Sequence, residues 1–154
     1  MHFHIRQSDI PTVVALSKQI PEFFNPNEAA EYEKRLKGVP HLILVAYTTD
    51  STKPNTLKSG ERAIGFKVGY ERDGYFYSWM GGVLSAYRRY GIAKALADEQ
   101  EIWAKEQGYD SITFKTRNQH KGMLIFALKN GFNIIGFKEK ESVETNRILL
   151  RKVL

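Results

Sequence analysis

Cysteine is absent from this sequence, so no disulfide framework, thiolate metal site or thiol nucleophile is open to it. Long apolar runs are missing too. The longest uninterrupted stretch, LILVAY at 42–47, falls far short of the ~20 residues that span a bilayer. The opening MHFHIRQSD has no apolar core of the kind a secretory signal needs, which predicts a cytoplasmic protein with no membrane partner. Neither repeats nor low-complexity tracts occur. His2, His4 and His41 stand outside metal-ligand spacing, so no metal is expected. No helical segment carries a continuous basic face, and the aromatics lack the RNA-binding sheet signature, so nucleic acid is not an expected partner.

What is present is a chain of 154 residues, enough for one domain over 1–154 with its own core. Hydrophobic residues make up 42% and charged residues 26%, the balance of an ordinary globular protein. The formal charge of +6 suits an anionic partner without choosing among phosphates, membranes and nucleic acid.

Periodicity gives the element order. HFHIRQ alternates as a strand, and Ser8 or Asp9 caps a helix with Pro11 in its first turn. NPNEAAEYEKRLKG repeats that pattern, with Asn25 before Pro26 at the start and Gly38 at the stop. HLILVAYTT reads as a buried strand, and the polar stretch 50–62 as a loop. AIGFKVGYE and GYFYSWMGGVL form a hairpin turned at Asp73-Gly74. A helix over 91–107, the strand SITFKT, a helix over about 119–129, and the strands FNIIGF and NRILLRKVL complete the chain. The last two strands are expected to pair antiparallel across KEKESVET. The result is a mixed α/β sheet with helices on both faces.

One segment calls for an anion. VLSAYRRYGIAKAL runs from the end of a strand into the start of a helix, where unpaired backbone N–H groups and the helix dipole converge. Gly91 lets the backbone approach closely, Ala93 keeps the first turn slim, and Arg88, Arg89 and Lys94 add positive charge. The Walker and dinucleotide glycine patterns are both absent.

What occurs instead, Arg88-x-x-Gly91-x-Ala93, resembles the acetyl-CoA signature of the Gcn5-related N-acetyltransferase superfamily. The resemblance extends over nearly the whole chain, since the order of elements is the family's and NQHKGMLIFALKNGF is similar to its fourth helix and terminal Gly-Phe. It implies about seven mostly antiparallel strands, with a parallel pair at the fourth and fifth splaying into a V, and about four helices on both faces. It also implies acetyl-CoA as co-substrate, with the pantetheine on the backbones of Val83 and Leu84. Arg88, Arg89, Tyr90, Gly91, Ile92, Ala93 and Lys94 would surround the pyrophosphate, and Asn118, next to His120, would touch CoA.

The implied reaction is transfer of an acetyl group to a primary amine, on a small molecule or peptide, within a ternary complex. Gly81-Gly82 reads as a strand bulge, with the Gly82 N–H as an oxyanion donor. The family's tyrosine near the end of the fourth helix is replaced by Ala127, and the fourth strand has no carboxylate, which leaves Glu71 as the nearest acid for a base and Tyr77 as a relay. Tyr75, Tyr77 and Trp79 also read as one packed face of their strand. The missing tyrosine and glutamate keep a second reading open, an acyl-CoA sensor or interaction module without transfer. Members of the family often pair as homodimers. Nothing in the sequence names the amine.

Overall fold

The computed structural model describes residues 1–49 and 60–154. The order is β1 (His4–Gln7), α1 (Ile10–Ser17), α2 (Ala29–Leu36), β2 (His41–Thr48), β3 (Arg62–Arg72), β4 (Tyr75–Val83), α3 (Ile92–Glu106), β5 (Ser111–Arg117), α4 (Lys121–Lys129), β6 (Asn133–Lys138) and β7 (Arg147–Val153). A single 3-10 turn, Ser85–Tyr87, links β4 to α3. The strands form one sheet in the order β1-β2-β3-β4-β5-β7-β6, and every pairing is antiparallel except β4 with β5.

Local chemistry accounts for most boundaries. Asp9 caps α1, its Oδ1 accepting from the Thr12 N–H at 3.0 Å, while Pro11 sits in the first turn where no donor is missed. Asp73 and Gly74 take φ of 52° and 83°, the pair of positive values a type I′ hairpin requires. The second helix starts later than the sequence suggests. Asn25 adopts φ 67° and turns the chain instead of capping it, and α2 begins at Ala29 behind Glu28, whose side chain makes no cap bond. α4 likewise begins at Lys121, behind His120. Of the expected loop over 50–62, residues 50–59 lie outside the described residues, and Arg62 already belongs to β3.

The core shows how the sheet divides. β2 is buried from Leu42 to Thr48, because helices and chain cover both of its faces, which is why it reads as an unbroken apolar run. Around it Val13, Leu16, Tyr32, Phe66, Phe76, Leu96 and Ile112 make the large cluster. A separate small cluster, Ala127 with Ile148 and Leu150, holds α4 to β7, and Phe114 of β5 packs against both clusters. Two cores in one sheet follow from the β4–β5 seam: only Phe76–Ile112 and Tyr77–Thr113 are in register, and beyond them the strands part.

β3 sorts its side chains by alternation. Phe66 packs on Phe23, and Tyr70 on Arg35, toward the α1–α2 face. Gly65 lies under Ile92 and Gly69 under Gln100, toward α3. Those two glycines leave room for the helix, since a Cβ at Gly69 would stand 2.8 Å from Gln100 Nε2 and 2.5 Å from the Phe76 ring.

Candidate active site

The gap between β4 and β5 opens past Tyr77, and the residues along β4 decide what it can hold. Leu84 donates its N–H to Ile64 O at 2.9 Å, and its carbonyl accepts from Tyr87 N. The Leu84 N–H is thus used within the chain and is not offered to a ligand, which leaves only the second lone pair of its carbonyl for the expected contact. The unbroken register from Met80 to Val83 then turns the Gly82 N–H toward Phe66 and leaves the N–H groups of Gly81 and Val83 facing the gap. The Gly82 N–H is therefore turned into the sheet, and those of Gly81 and Val83 face the gap instead.

The bulge also lies elsewhere. Val68 pairs with Met80 and Gly69 with Ser78, so the extra residue on β4 is Trp79, not either glycine. Gly82 is small for another reason: a Cβ there would come within 2.8 Å of Ile20 Cδ1 and 3.2 Å of Phe23 Cε2, from the segment joining α1 to α2. Paired glycines signal a bulge and a close approach equally well in sequence, and here the approach is the cause.

Past the end of β4 the backbone forms a cradle. Arg89 and Gly91 take φ of 69° and 80°, and Gly91 is the N-cap of α3 without a side-chain cap bond. The N–H groups of six consecutive residues, Arg89 through Lys94, find no hydrogen-bond partner among the described residues; the first helical bond is Ala95 N to Gly91 O. Nothing lies within 4 Å of where a Gly91 Cβ would stand. Ile92 buries its side chain in the core and contributes only its backbone. An open run of donors at a helix N-terminus suits a diphosphate.

The cations beside the cradle are less free than the sequence suggests. Arg88 gives both Nη atoms to Glu22, at 2.6 and 2.7 Å, and its Nε to Val83 O at 3.1 Å. The neighbouring guanidinium holds the Glu22 carboxyl below the usual range. Lys94 pairs with Asp98 one turn along α3. Asn118 donates its side-chain N–H to Val143 O at 2.9 Å, fastening the end of β5 to the β6–β7 connection. Arg89 and Tyr90 are exposed, and Arg89 forms no ion pair among the described residues.

On the α1–α2 face the seam opens into a cleft of about 470 Å³. Trp79, projected by the bulge, packs against Tyr32 with the rings tilted at 52° and their centroids 4.8 Å apart, and lies under Arg35 at 4.4 Å. Arg35 is held by Glu31 at 2.8 Å and donates to Tyr70 OH at 3.1 Å. Tyr77 meets Tyr70 edge-on at 5.6 Å, and burial raises its hydroxyl above the ordinary phenol value. The aromatic stripe on β4 is thus both packing and cleft wall. Lys34, Arg72, Lys115 and Arg147 complete the lining, a concentration of charge not visible in the sequence because its members come from one helix and three strands far apart in the chain.

Glu71 does not reach this cleft. It faces the α3 side, where Tyr109 OH donates to it at 3.1 Å, because neighbours along a strand point to opposite faces. Ala127 is buried against the small core, so α4 presents no hydroxyl at that position. Among the described residues no group of three metal-ligating side chains occurs, and no helix is long and apolar enough to cross a membrane.

Comparison with known proteins follows the same lines. No protein of curated function matches the sequence. Among solved structures the chain is similar to the ribosomal-protein-S18-alanine N-acetyltransferase of Escherichia coli, with TM-score 0.77 and 12% identity over 99% of this chain and 94% of the other. It is equally similar to Ard1 from Thermoplasma volcanium, at TM-score 0.77 and 17% identity over 100% and 99%. A chain of the NatC complex bound to Gag peptide and CoA gives TM-score 0.77 and 21% identity over 100% and 99%. The model of the acetyltransferase (GNAT) family matches residues 16–132, and with the splayed β4–β5 pair and the bare donor run before α3, this chain belongs to that family.

Proposed function

We propose that the protein transfers the acetyl group of acetyl-CoA directly to a primary amine, both substrates being held at once in the β4–β5 gap. The observation that carries this reading is the run of six N–H groups from Arg89 to Lys94 without a partner among the described residues, which fits the two phosphates of CoA. From there the pantetheine arm lies along β4, offered the N–H of Val83, and its thioester reaches the bulge at Trp79. Fixed backbone donors such as the Gly81 N–H then meet the oxyanion as the amine nitrogen bonds to the carbonyl carbon and the sulfur departs.

The amine enters from the α1–α2 face, opposite α3. Arg72, Lys115 and Arg147 disfavour an ammonium ion there, so the nucleophile is delivered neutral without a dedicated carboxylate. The same surroundings, burial first and then the neighbouring cations, lower Lys115 itself below the usual lysine value. Tyr77, kept protonated by burial, stands at the last paired rung of the seam and relays a proton toward the leaving thiolate.

Calorimetry with acetyl-CoA and CoA-thiol release with a panel of amines test this directly. Saturable binding with turnover of at least one amine supports the enzyme. Binding without turnover on any amine favours the sensor, which the buried Ala127 and the absence of a carboxylate from β4 keep in contention.

A further inference from the structure

The arm of the sheet beyond the gap carries positive charge in a pattern that packing does not explain. In register across β5, β7 and β6, Arg117 stands opposite Arg147, and Arg147 opposite Lys138. Residues paired this way share a face, so three cations lie in one row about 10 Å long, at ~4.8 Å between strands. Like charges directly opposite destabilise a sheet, and here the arrangement occurs twice in succession.

Lys115, two residues along β5 from Arg117, continues the row into the cleft, where its Nζ lies 5.7 Å from the Tyr77 ring; Arg72 lies 5.4 Å from the same ring. Neither these two nor Arg117, Lys138 and Arg147 forms an ion pair with any described carboxylate. Glu139, Glu141 and Glu144 sit in the adjoining connection and do not pair with them either. α4 covers the opposite face of this arm, through Ile148 and Leu150, and leaves the basic face open.

We infer that the acceptor is an anionic amine, one whose carboxylates or phosphates are received by Lys115, Arg147 and the Arg117–Lys138 row. This rests on the acetyltransferase reading and adds the substrate class to it. Guanidinium forks at Arg147 and Arg117 match the paired oxygens of such groups, and the half-buried setting of Arg147, which lines the cleft with Tyr77 and Trp79, strengthens the pairing there. Polyamines, which bring further positive charge, are excluded by the same field.

The test compares charge-matched pairs of acceptors by CoA-thiol release: glutamate against glutamine, a peptide with two acidic residues after its free N-terminus against its amide counterpart, and spermidine. An advantage in kcat/KM of about tenfold or more for the acidic member of either pair, abolished in Arg147→Gln with the acetyl-CoA KM unchanged, is the expected result. An acidic peptide favoured alone, or glutamate favoured alone, supports the inference and tells the two sources apart. Equal use of acid and amide in both pairs, or faster use of spermidine, overturns it while leaving acetyl transfer intact. Calorimetry with succinate against succinamide gives a readout free of turnover. Weaker or equal binding of succinate overturns the inference even if no acceptor in the panel reacts, whereas failure of acetyl-CoA itself to bind removes the underlying reading.

Discussion

Arg88 and Glu22 are joined by two hydrogen bonds of 2.6 and 2.7 Å, tying the start of the cradle to the segment between α1 and α2. Because Arg88 Nε also holds the Val83 carbonyl, this ion pair sets the shape of the gap's upper end. Its side chains are 41% and 50% exposed, so its contribution to stability is at most about 1 kcal/mol after screening by solvent. Arg88→Ala is expected to lower the unfolding free energy by no more than that in urea, while raising the KM for acetyl-CoA several-fold. Glu22→Gln should do nearly the same. If phosphate contact were the role of Arg88, its loss would far exceed that of Glu22→Gln.

The same pair gives a pH dependence with a definite sign. Arg88 holds the Glu22 carboxyl below its ordinary 4.5, so the folded state favours the ionised form. The stabilisation is complete above pH 4.5 and is lost as pH falls through the lowered value. In Glu22→Gln that acid-side contribution should vanish, which thermal melts between pH 3 and 6 would show (a window of about one unit and a half on either side of the ordinary value).

Gly91 separates binding from folding. Its φ of 80° makes any L residue strained, at roughly 1–2 kcal/mol, yet no atom lies within 4 Å of the absent Cβ. Gly91→Ala is therefore expected to fold with a modestly lower Tm. Gly91→Glu should fold comparably and lose the thermal shift given by acetyl-CoA, because it sets a carboxylate where the phosphates belong. Retained binding in that variant would move the carrier elsewhere.

Gly82 contrasts with it. A methyl at Gly82 would collide with Ile20 and Phe23, and overpacking of this kind costs about 1–3 kcal/mol. Gly82→Ala should lower stability by that amount in urea and shift the α1–α2 segment that roofs the acceptor side. If its fold and kinetics match the unmodified protein, the contact is not as tight as described.

How much of this was legible in the sequence depends on how local the cause is. The cradle was, since Gly91, Ala93 and the helix start lie within a few residues of each other, and so was the hairpin at Asp73-Gly74. Side-chain roles were not. Arg88 looked like a phosphate ligand because nothing near it in sequence announced Glu22, which lies 66 residues away. Paired glycines within one strand predict the bulge, yet Trp79 occupies it, because register is a property of two strands and not of one. The basic row on β5, β7 and β6 is hidden for the same reason: Arg117, Lys138 and Arg147 lie far apart in the sequence, and only strand pairing sets them side by side.

Lys67 offers a test of the gap's other face. It projects toward α3, its Nζ 3.7 Å from where a Gly81 Cβ would stand, and loss of hydration lowers its ammonium to about 8 despite the opposing pull of Glu101. A base with a depressed folded value binds fewer protons than the unfolded chain between about 8 and 10.5, so the protein's stability should rise with pH across that window. Below it the buried charge is a standing cost. Lys67→Met, which keeps the aliphatic stem over Gly81 and removes the charge, is expected to raise the Tm near pH 7 and to lose this rise, so that the two proteins converge as the pH approaches 10.5. Parallel stability curves for the two would mean that the ammonium is hydrated in the folded state. A Tm that falls at pH 7 would mean that Lys67 is held by a favourable partner.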